Sequence, residues 1–307
     1  MGKDKKTRLI KLTDFLKQAN AEIVGGLGLG GGIRTLYRHL SILYSNERAL
    51  KSSDLWLKEK LNEGTLSARN RFTNRIVNIP LGSVAPSLRR HSGVDCLDVT
   101  EKSDFLITDT FSCIEDFFED KKLMQRFKRN KKSWKDYVKR RQGRVFVARK
   151  FDLSAPGTRL IGFYSSVSLV PGEFWLLRNL NSELSKVLSI WFNSTPNLIQ
   201  MFLNRTETRG AWMKTDIEAL KEMYVIDPRT IGRKEINELL EIFDSIATLS
   251  LPNITEQLRT AHFARKRIDE TILKIIGFSE SETDNILALT YPALYNEIDK
   301  LKTLMEG

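Results

Sequence analysis

Cysteine and histidine are scarce in this chain: two and three residues among 307. Cys96 and Cys113 have no ligand companion nearby, and His39, His91 and His262 are scattered, so no zinc site can be drawn at recognisable spacing. Two cysteines supply no disulfide framework either, which fits a reduced, cytoplasmic protein. No apolar run approaches the ~20 residues of a membrane span. The opening residues, Met1-Gly2-Lys3-Asp4-Lys5-Lys6, lead into an amphipathic stretch and not into an apolar signal core. Hydrolase motifs are missing as well. There is no Gly-x-Ser-x-Gly elbow, and the His91-Ser92 neighbours in Arg89-Arg90-His91-Ser92 do not face each other productively. The acid pairs Glu115-Asp116 and Glu119-Asp120 suit the start of a helix better than a catalytic dyad.

Acids are also lacking where the cations gather. Lys121 to Lys150 holds fourteen Lys or Arg against Asp136 alone, which exceeds the net charge of +11 carried by the whole chain. The rest of the sequence is therefore slightly acidic, and the location of a polyanion site is marked. Trp134, Tyr137 and Phe146 are interleaved with these cations. They offer stacking surfaces beside phosphate contacts, or else core packing behind a solvated charged face.

Hydrophobic content of 41% is enough for a real core, and the length allows two domains or one with an appendage. The pattern predicts an α+β fold in three parts, without internal repeats. Residues 1–75 look mostly helical, with Ile10, Phe15 and Leu16 on one apolar face and a glycine loop at 25–32. Residues 76–230 mix strands and helices. Strand and turn signals run from Ile76 to Ile107, and helical spacing follows from Ile114 to Val138. Gly143 ends that helix, and strands are expected at Arg144–Lys150, Arg159–Val167 and Glu173–Leu177. Helices at Leu184–Leu203 and Thr215–Met223 precede a short strand, Tyr224-Val225-Ile226.

Residues 231–307 look helical throughout. Ile254, Leu258, Ala261, Arg265, Ile268, Ile272 and Ile275 step by four and three, a short heptad seam that could dock a partner or a second copy. Gly277 marks a helix end, Ser279-x-x-Glu282 a capping box, and Tyr291-Pro292 the start of a final helix.

The glycine cluster contains Gly26-x-Gly28-x-x-Gly31, a match to a dinucleotide fingerprint. That fingerprint needs a buried strand before it and an acid about 20 residues later. Only Ile23-Val24 precede it, and Glu47 has the spacing without any other mark. A glycine loop is the plainer reading, with a nucleotide-binding enzyme as the sharper one.

The stretch from Leu188 to Pro228 is the most informative. A helix carries Trp191-Phe192-Asn193-Ser194-Thr195, then come Arg205 and Glu207-Thr208-Arg209-Gly210-Ala211-Trp212, a second helix, and a strand ending at Asp227-Pro228. This resembles the C-terminal target-recognition region of N6-adenine DNA methyltransferases of the restriction-modification type. Ala264-Arg265-Lys266-Arg267-Ile268-Asp269 and Ile275-Ile276-Gly277-Phe278 resemble that family's C-terminal helix, and Pro80-Leu81-Gly82-Ser83-Val84 its entry strand. The resemblance covers roughly residues 76–290 and implies a mixed α/β target-recognition domain with a helical C-terminal segment.

The same family holds its flipped adenine with an Asn- or Asp-Pro-Pro-Tyr/Phe loop. None of the eight prolines here is adjacent to another, so that loop is absent. The resemblance therefore implies a DNA-binding subunit or fragment that is not catalytic alone. S-adenosylmethionine and the chemistry would sit on a separate methyltransferase chain or module.

The expected phosphate contacts are Lys128, Arg129, Lys131, Lys132, Lys135, Lys139, Arg140, Arg141, Arg144 and Arg149. Base readout is expected from loops near Arg89, Arg90 and Arg209. Arg205 and Arg209 are DNA candidates that could equally pair with Glu207 or Glu218. The competing reading is a non-enzymatic scaffold or protein-interaction module with a relic recognition fold. Duplex DNA, a catalytic chain, and a homodimer through the C-terminal helices are the expected partners, with no membrane.

Overall fold

Strand β1 (Leu9–Lys11) runs directly into helix α1 (Leu12–Gln18), which buries Leu12, Phe15 and Leu16. A computed structural model describes residues 8–27, 36–44, 50–52, 54–118, 120–205 and 210–306, with side chains through 304. Strands β2 (Glu22–Gly25), β3 (Ser41–Ile42), β4 (Trp56–Asn62), β5 (Thr65–Asn70), β6 (Ile76–Pro80), β7 (Val84–Leu88) and β8 (Asp104–Ile107) follow. The basic stretch forms helix α2 (Lys121–Lys139) and strand β9 (Gly143–Ala148). Next come β10 (Lys150–Asp152), β11 (Gly162–Pro171), β12 (Phe174–Arg178), α3 (Ser182–Phe192) and α4 (Thr195–Leu203). The chain closes with β13 (Trp212–Lys214), α5 (Ile217–Glu222), β14 (Tyr224–Ile226), α6 (Arg233–Ile246), α7 (Ile254–Arg259), α8 (Phe263–Ile276) and α9 (Glu280–Glu306).

The architecture is α+β. A seven-stranded mixed sheet has the order β2-β12-β9-β11-β7-β8-β3. Its pivot is the ten-residue β11. The first part of β11 pairs antiparallel with β9 (Gly162↔Val147), and its end pairs parallel with β7 (Val170↔Ser87). The register breaks between Tyr164 and Leu169, so one strand serves two halves of the sheet with different neighbours.

Each half has its own core. Phe146, Phe163, Leu176, Trp191, Phe243 and Ile272 belong to a large core beneath α1 and the C-terminal helices. Trp56, Leu66, Ile79, Phe105, Phe127 and Trp134 form a second core between the three-stranded β4-β5-β6 sheet, β8 and α2.

The expected mostly helical N-terminal quarter is not what forms. Its described residues hold the seven-residue helix α1, helical residues at 36–39 and the strands β1 to β5. The charged run Lys58-Glu59-Lys60 shows no period-two alternation of apolar residues. The run nonetheless lies on the exposed end of β4, which Gly64 (φ +78°) turns back into β5. Position 76 does not separate packing units either, because β2 and β3 are the edges of the seven-stranded sheet and β1 pairs with β14.

The heptad seam is also corrected. Ala261 (φ +46°) breaks it into α7 and α8. Ile254, Leu258, Ile268, Ile272 and Ile275 are buried in this chain's own core, so they offer no free face to a second copy. Pro292 lies inside α9 and not at the start of a helix. Gly277 (φ +113°) does end α8, and Ser279 and Glu282 form the expected reciprocal cap.

Candidate nucleic-acid interface

Helix α2 begins where the Asp120 carboxylate accepts from the Lys122 amide at 2.7 Å. Its inner face carries Phe127, Trp134 and Val138, all buried. Trp134 Nε1 donates to the carbonyl of Ile107 at 3.1 Å, which fastens the helix to the end of β8. Lys135 (3.0 Å) and Lys131 (3.7 Å) both reach Asp109, just beyond that strand. The hydrogen bond from Lys135 is the first reason that the Asp109 carboxyl is held below its usual range.

The outward face is different. Arg126, Arg129, Lys132, Lys139 and Arg140 are exposed and make no ion pair among the described residues. Lys128 is also exposed and only 4.0 Å from Glu115. Nine cations and Asp136 alone occupy nineteen helical residues, a span of about 28 Å at 1.5 Å per residue. Asn130 has non-helical angles (φ −105°, ψ 16°), so the cationic stripe bends at its middle. The expected stacking surfaces are not free. Trp134 and Phe146 are core, and the half-buried Tyr137 ring is covered by the Arg141 guanidinium, 3.7 Å from its centroid.

Of the cations after the helix, Arg144 is half-buried at the start of β9 and Arg149 lies over the Trp175 ring at 5.6 Å. Arg89 and Arg90 are taken out of the expected base-reading set. Their guanidinium groups converge on the fully buried Asp54, at 2.9 Å and 2.6 Å, with side chains only 12% and 11% exposed. Burial pushes the Asp54 carboxyl up, but the Arg90 hydrogen bond, the Lys51 amide and the two guanidiniums together hold it below the ordinary range. This is a structural ion triad, and sequence reasoning missed Asp54 because nothing in its neighbourhood marks it.

Arg205 sits over the Phe202 ring at 4.5 Å. Glu218 pairs with Lys221, at 2.8 Å, and not with Arg205. Arg209 and Glu207 lie outside the described residues, as do Gly28 to Gly32 and Glu47.

The Asn193-Ser194-Thr195 turn is wholly internal. Asn193 Oδ1 accepts from the amides of Ile161 (2.8 Å) and Gly162 (3.2 Å), while Nδ2 donates to the carbonyls of Gly162 (2.8 Å) and Ser189 (2.9 Å). Ser194 caps α4. Thr195 donates twice to the buried Asp269, from its amide and its hydroxyl (both 2.6 Å), and Tyr291 adds a third bond at 2.7 Å. Arg265 reaches the same cluster through Thr195 Oγ1 at 3.2 Å. Loss of solvation raises the Asp269 carboxyl above its usual range despite these donors. The motif therefore locks α3, α4, α8 and α9 to β11 and presents nothing to a ligand.

Among the described residues no group of three or more His, Cys, Asp or Glu is placed to hold a metal. None of their helices is long and apolar enough to cross a membrane. His91 packs edge-on against Phe151 and Phe174, and loss of solvation followed by the Arg90 charge pushes it down to about 4. The strand before the glycine cluster, β2, is an antiparallel edge strand beside β12. Its antiparallel pairing differs from the parallel strand that opens a dinucleotide cradle.

No family model matches the chain, and no curated protein matches it. A solved structure does. The type IIG restriction endonuclease BpuSI superposes with a TM-score of 0.59 at 14% identity, over 95% of this chain. The chain spans about a third (32%) of that protein's length. At this identity the likeness establishes a shared fold.

Proposed function

We propose that this chain is a duplex-DNA-binding module of a restriction-modification system, recognising DNA for a catalytic module that it does not itself contain. The observation that carries the reading is the outward face of α2: a bent stripe of cations, five of them without an ion pair among the described residues, on a helix anchored through Trp134 and Asp109. Fourteen cations in one stretch repel each other unless a polyanion screens them. The fold likeness to a type IIG restriction endonuclease supports DNA as that polyanion. So does the resemblance of residues 76–290 to the recognition region of N6-adenine methyltransferases. S-adenosylmethionine and methyl transfer belong, in this reading, to the separate module.

The stripe supplies affinity through phosphates, and specificity comes from loops that flank it. Arg89 and Arg90 are committed to Asp54, so Arg205 and the segment after it are the better candidates for base contact. The test is duplex binding across a salt series. Log affinity is expected to fall steeply with log salt, by about 0.9 per phosphate contact. Charge reversal at Arg129, Lys132 and Arg140 together abolishes binding with the fold intact. Undetectable duplex binding at low salt would sink the reading.

The scaffold alternative has one observation in its favour. Leu289 and Leu304 on α9 are 75% and 70% exposed, which suits contact with another module. Such contact is compatible with DNA binding elsewhere on the surface.

A further inference from the structure

A second cationic feature lies where the stripe of α2 ends. The last turn of α2, the start of β9, the end of β12 and the start of α3 border a cleft of about 630 Å³. Lys139, Arg144 and Arg178 line it, together with Asn179, Asn181 and Ser182, and no described lining residue is acidic. Gly143 forms part of the wall, where a Cβ would come within 2.5 Å of the Leu176 side chain and 3.1 Å of the Leu177 carbonyl. A side chain here would have to displace the Leu176 δ-methyl, and Arg144 follows at the rim.

The three cations differ in how they are held. Arg178 is oriented by a 2.7 Å bond to Glu22 on the edge strand, and its buried Nε has no acceptor among the described residues. Lys139 and Arg144 have no ion pair among the described residues. The first-turn acid of α3, Glu183, is drawn away to Arg233 at 2.7 Å and does not line the cleft. An open cleft lined by no acid, with two cations that have no ion pair among the described residues, suits an anion. It is continuous with the stripe through Lys139, which belongs to both.

We infer that this cleft seats a phosphate group of the nucleic-acid strand tracked by α2, so that the backbone path turns from the helix into the sheet. The inference rests on the DNA-binding reading. It adds that Arg144, beside the shared Lys139, makes a phosphate contact beyond the helix stripe.

The experiment is a salt series of duplex binding by the whole chain, carrying Lys139→Gln, Arg144→Gln or both. The expected result is a salt slope smaller by about 0.9, the share of a single phosphate that the cleft no longer neutralises, with Arg144→Lys restoring it. Lys300→Gln, on the exposed face of α9, is the charge control and leaves the slope unchanged. Arg178→Gln, which lines the cleft and lies off the helix, remains informative even if Arg144→Gln fails to fold. An unchanged slope in the folded variants overturns the cleft contact while leaving DNA binding by α2 in place. No salt-dependent binding by the unmodified chain overturns both. A phosphorus NMR titration with inorganic phosphate separates the other source. Saturable binding that disappears in Arg144→Gln, beside an unchanged DNA slope, would assign the cleft to a free phosphate and overturn the backbone contact.

Discussion

Asn193 closes its amide on the backbone of Gly162: Oδ1 accepts from the Gly162 amide and Nδ2 donates to the Gly162 carbonyl. Gly162 permits this because a Cβ there would lie 2.5 Å from Phe192 Cβ. Asn193→Ala strands two buried amides, of Ile161 and Gly162, and is expected to destabilise by about 2–4 kcal/mol. Chemical denaturation reads this directly. A destabilisation below about 0.5 kcal/mol would mean that Asn193 does not lock the helix to the strand.

Asp54 gives a pH signature. Its folded carboxyl is held below the ordinary range, so the stability it contributes is present above the unfolded value and is lost as pH falls through the folded one. Asp54→Asn leaves Arg89 and Arg90 without their buried counter-charge and is expected to cost about 3–5 kcal/mol near neutrality. The difference from the unmodified protein should shrink in strong acid. A pH-independent difference would contradict the ion triad.

Asp269 predicts the opposite slope. Its carboxyl is raised by burial, so its contribution is full below the unfolded value and declines as pH rises through the folded one. Asp269→Asn is expected to flatten that decline in unfolding curves taken from acid to neutral pH. Tyr291→Phe should steepen it, since it removes one of the donors that favour the ionised form.

Trp134 connects stability to binding. Trp134→Ala empties a buried site beneath α2 and removes the bond to Ile107, at a cost of about 3–5 kcal/mol. The cation stripe then loses its anchorage, so duplex affinity should fall although no charge has changed. Undiminished affinity in the folded variant would separate α2 from DNA binding.

The legible parts of the chain are those whose signals are local. The helical spacing from Ile114 to Val138 finds α2 but also takes in the separate short turn Ile114–Phe117, and the strand alternation after Gly143 places β9 to within a few residues. Gly277 and the Ser279–Glu282 box mark real helix ends. What the sequence hides depends on distant partners. The charged end of β4 has no period-two pattern, because only Trp56 and Leu57 of that strand are buried, and its strand state comes from pairing with β5. The seam from Ile254 to Ile275 has correct spacing, but Ala261 adopts a left-handed angle that no glycine announces. Arg89 and Arg90 look free because their counter-ion, Asp54, precedes them by a whole sheet. Asn193-Ser194-Thr195 is recognisable as a turn, yet its tie to Asp269 is visible only in three dimensions.

The pairing of Leu9 with Ile226 has a consequence for how the protein is made. Strand β1 leaves the ribosome without a partner until β14 has been synthesised, nearly the whole sheet later. Until then β1 and α1 expose Leu9, Leu12 and Phe15 to other nascent chains. Closure of this ladder joins the most distant pair of strands in the described sheets, and its loop-closure entropy is the largest of any of them.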